Sequence, residues 1–362
     1  MTVYRVIIWG AGNIAREALK YVSSTVKIIG FLDNNPDIKE FEGLNALEKE
    51  KIGEYEYDYI VICSVYDKEI YRQLIGMSVE ASRILMNPVL KAQSYEIYKH
   101  NFFKRKWISL LGRAEKPELF ISGISYHNDG IDEQIILKKT GKRAFNFAMR
   151  GQDIFYDFQI AKLLDRNGYL EKTMHYIVGL CYYSFEYDMS KSVHGWEIIR
   201  YYSFIREQHN LASAVPFGDF TENVKSYLEE CAVYYELFHT KTKHIVNDEE
   251  GRRTAEQDFN KNYPVTVWEN RIILREFLNF LIDRQIKPVI VIMPAVKGYV
   301  GGVPKKFRER FYDSLAVCAG NVQILDYFGY YYGDVSDYYH VSHFNKNGAE
   351  KFTEKLIGDI YW

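Results

Sequence analysis

Short apolar runs alternate with amphipathic segments along almost the whole chain, and this alternation limits the open folds more than any other feature. In the first hundred residues "YRVIIWG" reads as a buried strand and "NIAREALKYVSS" as an amphipathic helix. "KIIGFLDNN" and "YDYIVICS" read as further strands, "DKEIYRQLIGMS" as a helix, and "ASRILMNP" as a strand stopped by Pro88. Strands separated by helices of this length require parallel pairing in a doubly wound sheet. A second series starts near residue 118, with strands in "ELFISGIS", "RAFNFAM", "MHYIVGLCYYSF", "KPVIVIMPA" and "NVQILDYF". Its helices are "QDIFYDFQIAKLLDRN", "VWENRIILREFLNFLIDRQ" and the terminal "NGAEKFTEKLIGDI". The expectation is an α/β chain of two doubly wound parallel-sheet domains, residues 1–100 and 118–362. The basic, aromatic stretch 101–117 is read as a linker, and the polar region of about 190–265 as a helical insertion covering one face.

A length of 362 residues fits two such domains. The net charge of −2 rules out a broad basic field, so nucleic acid is not an expected partner. No uninterrupted apolar run reaches the roughly 18–20 residues of a membrane span, and Met1 runs directly into a strand without the regions of a signal peptide. A cytoplasmic location is therefore expected. Cys63, Cys181, Cys231 and Cys318 lack C-x-x-C spacing and read as reduced, mostly buried thiols. Tyrosine is abundant, with 31 copies clustered in stretches such as "CYYSFEY". Such amphipathic walls suit carbohydrate surfaces and ordinary interfaces alike, a homo-oligomer among them.

"WGAGNIAREA" places Gly10, Gly12 and Ala15 at G-x-G-x-x-A spacing between a strand and a helix. Gly10 permits the tight turn, Gly12 admits a phosphate to the backbone, and Ala15 lets helix and sheet pack closely. The helix start at Asn13 and Ile14 would offer free N–H groups to an anion. Asp33 and Asn34 end the second strand, where a carboxylate can accept hydrogen bonds from ribose hydroxyls. "VIIWGAGNIAREAL", "IIGFLDNNP" and "YDYIVICSVYDKEIYRQL" resemble Rossmann-like domains at the N-termini of bacterial capsule and surface-glycan proteins. The resemblance implies a bound nucleotide, nucleotide-sugar or NAD(P) as cofactor or ligand. Tyr95 and Lys99 stand at Y-x-x-x-K spacing, but too soon after the glycine turn for a dehydrogenase pair.

"FISGISYHNDGID" puts Ser125 at the carboxyl end of a strand, where open α/β sheets bind ligands. A serine hydroxyl needs a base to become nucleophilic, and His343 arrives on the loop before the last helix. "GISYHNDGID", "FNFAMRGQDIFYDFQIAKLL", "KPVIVIMPAVKGY" and "HVSHFNKNGAEKFT" resemble the SGNH (GDSL-like) hydrolase superfamily, in its surface-glycan acyl esterase and acyltransferase branch. The resemblance makes Ser125 the nucleophile, His343 the base, and a backbone N–H at Ser125 with donors near Gly151 or Gln152 the oxyanion hole. It implies a small-molecule or glycan substrate.

Two positions depart from that pattern. The D-x-x-H aspartate is replaced by His340, leaving Asp337 or Asp334 to reach the base, and the G-x-N-D asparagine is missing after "MHYIVGL". Three readings follow: an acyl-transferring serine enzyme, a degenerate glycan or nucleotide-sugar binding module, and an NAD(P)-dependent oxidoreductase. His340 and His343 lack a third donor at fixed spacing, so no metal is expected. His127 reads as a surface turn residue, and Lys297 and Tyr299 as crevice or turn residues.

Overall fold

The computed structural model describes residues 3–86, 101–192, 195–201, 204–205, 207, 209, 234, 237–238, 246–260, 264–329 and 334–362. The chain forms two compact units, each built on a parallel sheet. The α/β expectation holds.

The first unit comprises Met1–His100 together with Phe217–Lys243. Its strands are β1 (Tyr4–Trp9) and β2 (Val26–Leu32), a small antiparallel pair β3 (Glu40–Phe41) and β4 (Leu44–Asn45), then β5 (Tyr59–Ile62) and β6 (Ile84–Met86). The main sheet runs β2-β1-β5-β6 with every pairing parallel. Period-two alternation sends Val6 and Ile8 into one core and Ile7 and Trp9 into the other, which is why "VIIW" carries no polar residue. Tyr234, Leu237 and Phe238 belong to the Val6/Ile8 core. The Met86 N–H donates to Tyr234 Oη at 2.7 Å, and the Ser23 N–H to the Leu237 carbonyl at 2.8 Å. The region expected as an insertion of the second domain therefore contributes to the core of the first. Apolar side chains at helical spacing, not chain position, decide that assignment.

The second unit comprises Asn101–Pro216 and His244–Trp362. Its five strands are β7 (Leu119–Ser122), β8 (Ala144–Asn146), β9 (His175–Leu180), β10 (Lys287–Ile292) and β11 (Gln323–Asp326). Their order, β11-β10-β9-β7-β8, places the reversal of strand order between β7 and β9. Open α/β sheets bind ligands beyond the carboxyl ends of strands at such a point. An antiparallel pair, β12 (Tyr338–His340) and β13 (His343–Phe344), precedes the last helix, Lys346–Asp359.

The stretch expected as a linker is part of this unit. Helix Phe102–Leu111 buries Phe103, Trp107 and Leu110, and Phe103 lies 5.9 Å from the Phe147 ring. Lys106 Nζ donates to the Asn146 and Ala148 carbonyls at 2.6 and 3.0 Å, fastening the end of β8. Burial lowers its pKa to about 8. Within the stretch expected as a helical insertion, Asn247 caps helix Asp248–Asp258. Among the described residues no helix is long and apolar enough to cross a membrane. Cys63, Cys181 and Cys318 are buried free thiols, while Cys231, Tyr95 and Lys99 lie outside the described residues.

His127 corrects its sequence reading. It is fully buried, and its Nε2 lies 3.0 Å from the Val291 carbonyl, to which it donates. Burial lowers its pKa to about 4, so the ring is neutral. A Cβ on Gly123 would come within 2.7 Å of this ring, and one on Gly179 within 2.5 Å. The two glycines make the slot the ring fills. Gly179→Ala is expected to destabilise by about 1–3 kcal/mol through overpacking. Gly12→Ala, whose Cβ would meet nothing within 4 Å, should leave the urea midpoint nearly unchanged.

Candidate active site

Strand β7 ends at Ser122, and the chain turns through Gly123 at φ +131°, a conformation that favours glycine. Ile124 is extended, and Ser125 opens the short helix Ser125–Gly130, so its N–H has no intrahelical partner. Ser125 is part-exposed. His343, on β13, brings Nε2 to 2.8 Å from Ser125 Oγ, within reach for proton transfer. The chain thus joins a hydroxyl and an imidazole more than two hundred positions apart.

His340 meets the same imidazole from behind. Its Nδ1 lies 3.1 Å from His343 Nδ1, and Ser342 Oγ lies 3.4 and 3.2 Å from the two nitrogens. If His343 Nε2 is to accept the serine proton, its Nδ1 carries hydrogen and needs an acceptor. The lone pair on Nδ1 of a His340 protonated at Nε2 supplies one. A histidine Nδ1 stands as many bonds from Cβ as an aspartate Oδ1, so His340 occupies the acceptor position that D-x-x-H gives to aspartate. It brings no negative charge to stabilise the imidazolium.

Asp337 does not take that role. It is buried, and its carboxylate accepts from Asn347 Nδ2 at 2.6 Å, from Lys351 Nζ at 2.8 and 3.0 Å, and from the Asp334 N–H at 3.2 Å. It fastens the start of the last helix. Asp334 Oδ1 is turned to the Ser336 N–H.

The turn after β8 lies alongside. The Met149 N–H donates to the Gly123 carbonyl at 3.0 Å, and Gly151 adopts φ +65° just beyond. The Gln152 side chain is not free to bind an oxyanion. Its Oε1 accepts from Tyr201 Oη at 2.8 Å, its Nε2 donates to Asp157 Oδ1, and its backbone N–H goes to the Met149 carbonyl. Among the described residues the Gly151 N–H makes no hydrogen bond, so it is a donor this turn can offer.

Sequence reasoning missed two acids that hold this arrangement. Asp157 is buried on helix Ile154–Arg166 and accepts the Gly123 N–H at 3.0 Å as well as Gln152, so one carboxyl ties both turns. Burial raises its pKa to about 8. Asp258 accepts from Tyr126 Oη at 3.0 Å and Tyr299 Oη at 2.7 Å. Tyr126 packs edge-on against the His343 ring at 4.8 Å. An acid on the apolar face of "QDIFYDFQIAKLL" was the available signal for Asp157. Tyr299 is buried and serves as wall, while Lys297 is exposed.

In the first unit, Gly10 has φ +117° and a Cβ there would lie 2.7 Å from the Cys63 carbonyl, so this glycine is needed by the packing itself. Gly12 faces open space, as phosphate approach requires. Asp33 closes the turn, accepting the Ala11 N–H at 2.8 Å on Oδ2 and the Asn35 N–H at 2.8 Å on Oδ1. Asn13 accepts from Arg16 at 3.2 Å, Asn34 from Lys49 at 3.5 Å, and Ile14 is exposed. The ribose carboxylate expected from sequence is thus first a turn-forming group.

If Ser125 and His343 turn over an activated ester, His340→Ala should lower kcat by about 10²-fold, at the low end of what a positioned base contributes. His340→Asp, with Oδ1 in place of Nδ1, should raise kcat above wild type; steady-state kinetics decides both. For Asp157, the raised folded-state pKa means that the native state holds a proton which the unfolded chain has released. Stability therefore falls as pH rises from about 4 to about 8. Asp157→Asn keeps an acceptor for Gly123 and should flatten that slope in urea titrations.

Residues 2–85 match the family described as C2185-like, N-terminal. No curated protein matches the chain. Among solved structures, the wall teichoic acid polymerase TagF is similar at 12% identity, covering 77% of this chain and 90% of that one, with a TM-score of 0.13. A score that low shows no common fold.

Proposed function

We propose that the second unit is a serine hydrolase or O-acyltransferase of SGNH type, acting on an acyl ester of a sugar or glycan precursor. The Ser125 Oγ to His343 Nε2 separation of 2.8 Å at the switch point of a parallel sheet carries this reading. His343 takes the hydroxyl proton as Ser125 Oγ bonds to the acyl carbonyl carbon. The oxygen that becomes negative is met by the N–H groups of Ser125 and Gly151. Collapse expels the sugar oxygen, which receives the proton from His343 and leaves an acyl-serine. Water, or a second hydroxyl, then gives its proton to His343 and takes the acyl group, restoring Ser125.

A second reading, a binding module without turnover, is favoured by a histidine, His340, standing where the resemblance expects an aspartate. For the first unit, the open face at Gly12 supports a nucleotide or nucleotide-sugar, whose assembly would place the chain in the cytoplasm.

A fluorophosphonate probe should add one adduct, mapped by mass spectrometry to Ser125, and Ser125→Ala should abolish both the adduct and p-nitrophenyl acetate hydrolysis. No adduct and no turnover, together with thermal stabilisation by a nucleotide-sugar, would favour the binding module.

A further inference from the structure

Three consecutive residues of the turn after β8 are each held by a different residue of one segment. Arg200 Nη2 donates to the Arg150 carbonyl at 2.6 Å, Tyr187 Oη to the Gly151 carbonyl at 2.9 Å, and Tyr201 Oη to Gln152 Oε1 at 2.8 Å. Arg200 is itself paired through Nη1 with Glu197 at 2.7 Å, the two side chains being 2% and 0% exposed. A Cβ on Gly151 would lie 3.6 Å from Glu197 Oε2 and from Tyr187 Oη, so the pair sits directly against the turn.

A buried ion pair is a weak source of net stability, because desolvation offsets the attraction. What this pair does supply is a guanidinium whose direction is fixed. A trans peptide is planar, with its C=O and N–H pointing opposite ways. The carbonyl of Arg150 and the N–H of Gly151 belong to one such plane. Holding the carbonyl on Arg200 therefore turns the Gly151 N–H to the opposite side. The next plane differs, since its N–H, that of Gln152, is already spent on the Met149 carbonyl at 3.3 Å.

We propose that Arg200, oriented by Glu197, is a positioning residue that aims the Gly151 N–H as the second oxyanion donor for an acyl group on Ser125. The inference rests on the Ser125/His343 reading. It assigns the polar segment after β9 a part in the chemistry and accounts for a buried Arg/Glu pair so close to the turn. It would also let a backbone donor serve where the G-x-N-D asparagine is missing.

The test uses the full chain with Arg200→Met and Arg200→Lys, p-nitrophenyl acetate as substrate and phenylboronic acid as the tetrahedral analogue. Arg200→Met should lower kcat by about 10²-fold, the value of one oxyanion donor, with KM changed less than twofold. Boronic acid affinity should fall by a similar factor, and millimolar guanidinium ion should restore part of both. Arg200→Lys, which keeps a donor for the carbonyl, should fall between wild type and Arg200→Met. If Arg200→Met does not fold, as judged by near-UV circular dichroism, Arg200→Lys decides alone. Reduced kcat with reduced boronate affinity supports the proposal; unchanged boronate affinity in a folded variant overturns it, whatever happens to kcat. If Ser125→Ala is as active as wild type, the serine-enzyme reading itself fails. If Ser125→Ala is inactive and Arg200→Met is unaffected, only the role of Arg200 falls.

Discussion

The site depends on one buried carboxyl group. Asp157 takes the N–H of Gly123, where the turn to Ser125 begins, and the amide of Gln152, where the opposite turn ends. Neither Gly123 nor Gln152 belongs to a regular element. Burial favours the uncharged form of this acid, which serves both as acceptor and as spacer. Helix Ile154–Arg166 brings that acid under the carboxyl edge of β7 because its other inward residues, Ile160, Ala161 and Leu164, are apolar and fully buried.

Behind the His343 ring stand an imidazole and a hydroxyl, those of His340 and Ser342. His340 offers His343 a lone pair in the right place, with Ser342 beside both rings, and Tyr126 fixes the ring from the side. Orientation is thereby secured while charge stabilisation is not. If His343 is the base we propose, such neighbours can orient its ring but supply less field behind an imidazolium than an aspartate would.

Much of this was legible from residues alone. "YRVIIWG" and "KPVIVIMPA" are too continuously apolar to be anything but strands covered on both faces, and the spacing of helices between them dictates parallel sheets. Ser125 and His343 could be paired because each stands next to a strand end or helix start. Other features had no local signal. His127 is followed by "NDG" and looks like a surface turn, yet two glycines on neighbouring strands open a slot for it. Asp337 has the right spacing to serve the base, but Lys351 and Asn347 on the last helix claim its oxygens. Long-range competition for a single side chain is invisible to spacing.

Tyr234, Leu237 and Phe238 give the first unit an unusual dependence on timing. A ribosome delivers Val6, Ile8 and Phe31 early, but the residues that complete their core emerge only after most of the second unit's strands β7, β8 and β9 have been made. Until then the amino-terminal sheet has an uncovered apolar patch, the kind of surface that chaperones and proteases recognise. Severing the polypeptide near residue 100 would part that patch from Tyr234, Leu237 and Phe238, which cover it.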